Sequence, residues 1–162
     1  MKKVFMATIL LLCFSLPFAF ADGHESGDSG EGRIKVGVLL GQAPLLTAGF
    51  PITKNIELNA TFGTDWSFNS VRFGANALFG VLDTKISGET LPLSVGPQID
   101  LHFIRGGIFL FDVLGVVRWE YTFDFPLNLF TEAGLGVAFF GFQGVTLVNF
   151  AWTAGIGVRY VL

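Results

Sequence analysis

The side chains with the most capacity for chemistry are Arg33, Lys35, Glu57, Arg72, Asp100, His102, Asp112, Arg118, Glu120, Glu132 and Arg159. His102 is the one to weigh as a catalyst, since Asp100 or Asp112 could orient its imidazole as a general base. Catalysis also needs a nucleophile within reach, and no serine near His102 stands in a recognisable nucleophile setting. Phosphate-loop, dinucleotide and Cys/His metal patterns are absent as well. The expectation is a chain without catalytic residues, cofactor or metal. The eleven groups are then expected to serve as an internal network, because buried charges must be paired and hydrogen-bonded.

What has to position these groups is a set of strands. The last twelve residues, AWTAGIGVRYVL, alternate without a break: Trp152, Ala154, Ile156, Val158, Tyr160 and Leu162 on one face, and Thr153, Gly155, Gly157 and Arg159 on the other. Such a period of two argues for a β-strand with two unlike faces. The same theme recurs over 33–41, 44–51, 55–66, 69–82, 90–105, 107–121, 125–140 and 146–162. The turn signals GQAP, PITKN, TDWSFN, DTKISGET, IRGG, TFDFP and GFQG separate these runs. Val71, Phe73, Ala75, Ala77, Phe79 and Val81 oppose Arg72, Gly74, Asn76, Leu78 and Gly80. In 107–121, Asp112, Arg118 and Glu120 share one parity against Phe109, Phe111, Val113, Val117, Trp119 and Tyr121. About eight strands with short connections imply an all-β antiparallel meander.

Composition narrows the setting. Hydrophobic residues make up 51% of the 162 and charged ones only 14%, against about 25% charged in a soluble domain. MKKVFMATILLLCFSLPFAFA has the basic start, short apolar run and small-residue end of a secretory signal peptide, residues 1–21. Cys13, the single cysteine, falls inside it. Residues 22–32, DGHESGDSGEG, read as a flexible acidic tail, with His24 a solvated residue. Removing residues 1–21 takes two lysines, leaving eight cationic against thirteen acidic side chains, a net charge of −5. That excludes a basic nucleic-acid surface.

Alternation alone does not say which face meets solvent. Glycine does: Gly37, Gly63, Gly74, Gly80, Gly96, Gly134, Gly136, Gly155 and Gly157 all share the polar face. Glycine weakens an exposed strand surface and packs nothing there, whereas in a narrow eight-strand barrel it makes room for long interior partners. The polar face is therefore expected inside and the Phe/Leu/Val face outside. Trp152 and Tyr160 lie eight residues apart on the outer face. At about 3.3 Å per residue and a tilt near 40° that is roughly 20 Å of height, close to the apolar band of a membrane barrel with an aromatic girdle at each edge. Trp119 and Tyr121 suit the same edge as Tyr160.

In these features residues 33–162 resemble the small bacterial outer-membrane barrels of the OmpA and OmpX family. The resemblance implies an up-and-down transmembrane β-barrel of about eight strands, monomeric, in contact with outer-membrane lipid. It also implies periplasmic chaperones and the barrel-assembly machinery as partners during biogenesis. The last strand, with Trp152, Ile156, Val158, Tyr160 and Leu162, would be the insertion signal, although Leu162 stands where the family usually ends in Phe. With both termini periplasmic, Lys35, Glu57, Arg118, Glu120, Glu132 and Arg159 fall in the periplasmic half. Arg72, Asp100, His102 and Asp112 fall in the outer half. The external connections near 42–44, 65–69, 104–107 and 141–146 are too short for a large recognition surface. A plugged structural barrel is the leading expectation. A narrow pore or transporter, a lipid- or peptide-modifying barrel enzyme centred on His102 and a soluble lipocalin-like barrel are the alternatives.

Overall fold

A computed structural model describes residues 32–86, 89–142 and 145–162. The expected signal peptide and nearly all of the acidic tail lie outside them. Eight antiparallel strands, each paired with its sequence neighbours, close into a ring when β8 pairs with β1. The strands are β1 (Lys35–Gly41), β2 (Pro44–Thr53), β3 (Ile56–Thr64), β4 (Ser70–Ile86), β5 (Glu89–Ile104), β6 (Ile108–Thr122), β7 (Leu127–Phe142) and β8 (Val145–Val161). Closure runs to the chain end, where the Leu162 amide donates to the Ile34 carbonyl at 2.8 Å. Among the described residues no helix is long and apolar enough to cross a membrane, which says nothing about crossing by strands.

The register determines the girth. A walk from Leu39 through Leu45, Gly63, Arg72, His102, Leu110 and Phe140 arrives at Leu147. Leu39 itself pairs with Gly157, ten residues beyond Leu147 on β8. Ten residues of rise over eight strand spacings tilt the strands by about 40° and give a radius of about 8 Å. Each residue then climbs about 2.5 Å along the axis. An interior of that size is filled by side chains.

Both chain ends of the ring lie at one end of the barrel, here the terminal end; the β1–β2, β3–β4, β5–β6 and β7–β8 connections lie at the far end. The far rim slopes. Gly155 is the last β8 residue paired to β1, so Val145–Ala154 pair with β7 alone. The β5–β6 turn is tight because Gly106 and Gly107 both take positive φ (103° and 81°), a region that glycine enters without steric cost.

The expected strands are present, with corrected ends. DTKISGET was expected to be a turn from Asp83 onward, but β4 continues to Ile86, with Asp83 opposite Pro92 and Ile86 opposite Glu89. A bulge at Val81 allows this, since the register steps from Gly80↔Ser94 to Leu82↔Leu93. The extra residue turns Val81 and Leu82 outward together, at 55% and 59% exposure. β7 likewise runs past residue 140 to Phe142. β1 starts only at Lys35, which leaves Arg33 exposed ahead of the first strand.

Candidate functional site

Alternation and closure together turn one residue in two into the barrel, and the polar residues there meet across strands that are far apart in sequence. Near the terminal end they form one network. Lys35 Nζ donates to Glu57 Oε2 at 2.6 Å and to Glu120 Oε2 at 2.9 Å. Arg118 places Nε and Nη2 on Glu132 Oε2 at 3.0 and 2.5 Å, and Nη1 on Glu57 and Asn59. Arg159 donates to Glu57 Oε1 at 2.8 Å, Glu120 Oε1 at 2.6 Å, and the side-chain oxygens of Asn59 and Asn128. Arg118 and Arg159 have no exposed surface. Three cations face three carboxylates, so the network is balanced, and forked guanidinium groups suit it because each satisfies several acceptors while staying charged.

Phe130 sits at the centre of this cluster. Its ring is buried, with the guanidinium carbons of Arg118 and Arg159 each 4.6 Å from its centroid. The quadrupole of the ring face attracts both cations. The ring rests on Gly157, where any Cβ would overlap it. Gly49 does the same for the ions: a Cβ there would lie 2.8 Å from Arg159 Nη1 and 2.9 Å from Asn59 Oδ1.

A ladder of amides leads from this cluster toward the far end. Asn59 Nδ2 donates to Asn76 Oδ1 at 2.9 Å, Asn76 Nδ2 to Gln98 Oε1 at 3.1 Å, and Gln98 Nε2 to Asp100 Oδ2 at 2.8 Å. Arg72 Nη2 meets the same Asp100 oxygen at 2.7 Å. His102 Nε2 lies 3.0 Å from Asp112 Oδ2. By register and tilt the two charged clusters are separated by on the order of 15 Å along the axis. Leu78, Leu114, Val116, Ala138 and Ala151 pack as a buried apolar group.

Ten of the eleven expected interior residues are brought together in these two clusters: Lys35, Glu57, Arg118, Glu120, Glu132 and Arg159 in one, Arg72, Asp100, His102 and Asp112 in the other. Arg33 is the exception, since it precedes β1 and is exposed. The outer face carries Trp119 at 42% exposure, Trp152 at 55%, Ile156, Val158 and Leu162, with Tyr121 and Tyr160 half-buried beside them. Phe62, Phe73, Phe103 and Phe109 form a ring ladder across β3–β6 on the same surface, with centroids 5.0, 6.0 and 5.4 Å apart. Sequence reasoning missed Phe130, Gly49 and the amide ladder as parts of the site. Their parity was the available signal, because each shares the inward face with a charged neighbour.

Outside the barrel wall, Asp65 organises the β3–β4 connection. Its carboxylate accepts from the Asn69 amide at 2.9 Å and the Ser67 hydroxyl at 2.8 Å. The backbone hydrogen bond from Asn69, with help from Ser67, holds its pKa below the ordinary aspartate value. Comparison with protein-family models, with curated proteins and with solved structures found no match to this chain.

Proposed function

We propose that this chain is an integral β-barrel of the bacterial outer membrane, of the small OmpA/OmpX-like type, exported through a cleaved signal peptide. Its role is structural, in the envelope, with a plugged interior and no catalysis. The observation that carries the reading is the inverted distribution of polarity. Among the described residues thirty large hydrophobic side chains are exposed, most of them on the strands of the closed ring, Leu46, Phe73, Ile99, Trp119, Leu135 and Ile156 included. The fully buried side chains include Arg118, Arg159, Asn128 and Asp100. An apolar surface far larger than a few hundred Å² is untenable in water for a soluble monomer. In lipid it is the expected exterior, and a closed barrel leaves no backbone group of the spanning band unpaired.

The plugged reading is favoured over a pore because the inward side chains of Arg118, Arg159, Phe130, Leu78, Val116, Asn128 and Asp100 are each 2% exposed or less. Membrane fractionation with a heat-modifiability gel tests the proposal. Recovery with the outer membrane, as a folded band that shifts on boiling, is expected; recovery in the aqueous fraction would refute it.

A further inference from the structure

The two charged clusters differ in their charge balance, and the difference points to a ligand. The terminal cluster opposes three cations to three carboxylates. In the far cluster Asp100 and Asp112 stand directly opposite each other across the β5–β6 pair, an arrangement of like charges that destabilises a sheet unless it is neutralised. Arg72 supplies one positive charge, on Asp100. Asp100 has no exposed surface and Asp112 is buried, and the Oδ1 atom of each lacks a hydrogen-bond partner among the described residues. Orphaned carboxylate oxygens at such depth are costly. His102, two residues along β5 on the same inward face, adds an imidazole nitrogen, and one donor atom from each of Asp100, His102 and Asp112 lies within 4.8 Å of the others.

We propose that Asp100, His102 and Asp112 form a binding site for a divalent transition cation of the zinc class. One nitrogen and two carboxylate oxygens are zinc ligands, at bond lengths of about 2.0–2.2 Å. On a tetrahedral ion such donors stand about 3.4 Å apart, so the separations of up to 4.8 Å must close by up to about 1.4 Å. Imidazole selects a zinc-like ion over magnesium or calcium, which take oxygen ligands. The ion would add positive charge beside the two facing carboxylates. Entry is from the far end, where the His102 and Asp112 side chains retain 20% and 11% of their exposure.

The test uses the full chain carrying His24→Gln and no affinity tag, so that His102 is its single histidine. It is refolded in detergent micelles, stripped with a chelator, and titrated with zinc chloride by calorimetry and with cobalt chloride by visible absorption. One ion per chain is expected, with His102→Gln and Asp112→Asn each weakening binding at least about tenfold. The exposed control Asp83→Asn should leave it unchanged. Absence of saturable binding, or equal binding by His102→Gln, would overturn the proposal. If either variant fails to refold, X-ray absorption at the zinc edge of the parent chain decides: one imidazole nitrogen in the coordination shell supports the site, and none overturns it.

Discussion

Replacing Glu132 by alanine is the sharpest probe of the interior. Glu132 Oε2 accepts two of the guanidinium hydrogen bonds of Arg118, from Nε and Nη2, and the two side chains are 3% and 0% exposed. Removal leaves those two donors facing an apolar methyl group and turns a balanced network of three cations and three anions into one with a surplus buried positive charge. Breaking a buried pair in this way costs on the order of 3–5 kcal/mol. Glu57 and Asn59, which still accept from Nη1, hold the figure toward the lower end. The double variant Arg118→Met with Glu132→Leu removes both charges and should recover much of the loss, since apolar replacement of a whole buried pair is often near neutral. Urea unfolding of the barrel refolded in lipid vesicles measures all three against Asp83→Ala, an exposed control on β4. If Glu132→Ala unfolded at the same urea concentration as the control, the carboxylate would not be stabilising Arg118. The account of the interior as a paired network would then fail.

Phe130→Ala should destabilise by about 3–5 kcal/mol, the usual cost of deleting a buried aromatic ring, and Phe130→Leu by less; stability equal to the parent chain in the same assay would mean the ring is not part of the packed network. Gly157→Ala should cost about 1–3 kcal/mol, because the added methyl group must displace that ring, whereas Gly115→Ala, on the outer face with only the Leu135 carbonyl at 3.9 Å, should cost less. Val158→Arg should impair folding into vesicles by up to about 2–4 kcal/mol if lipid covers that face, and wild-type folding efficiency would argue for water there. In planar bilayers the filled interior should give no steady conductance steps; reproducible ones would favour the pore. The Asp65 carboxyl, depressed below its ordinary value of 3.8 by the Asn69 amide, contributes loop stability that is present above the unfolded pKa and lost as pH falls through the lower folded pKa. Ser67→Ala should move its NMR titration midpoint upward, and an unmoved midpoint would remove the hydroxyl from the account.

Much of this architecture is local information. Alternation has a period of two whatever a strand pairs with, so the inward parity of Arg72, Asp100, Asp112, Arg118, Glu132 and Arg159 and the outward parity of Trp119, Trp152 and Ile156 were legible from single segments. Glycine and Asn/Asp clusters punctuate the chain for equally local reasons, which made the number of strands legible too. Strand ends were less so: the run 83–86 carries turn-like composition, yet its pairing partner at 89–92 and the bulge at Val81 keep it in the sheet. Arg33 shows the reverse, a residue with inward parity that lies ahead of any strand.

What only the tertiary structure decided is who meets whom. Lys35, Glu57, Arg118 and Arg159 come from four strands spread over most of the chain, and their meeting depends on every intermediate register and on the ten-residue offset at closure. That offset sets tilt, radius and depth together, and no single segment encodes it. It brings two guanidinium groups onto the Phe130 ring over Gly157, and it sets Asp100 against Asp112 with Arg72 on Asp100. The sequence determined which side chains enter the barrel, because side-chain direction is a property of one strand. The contacts those side chains make belong to the closed ring.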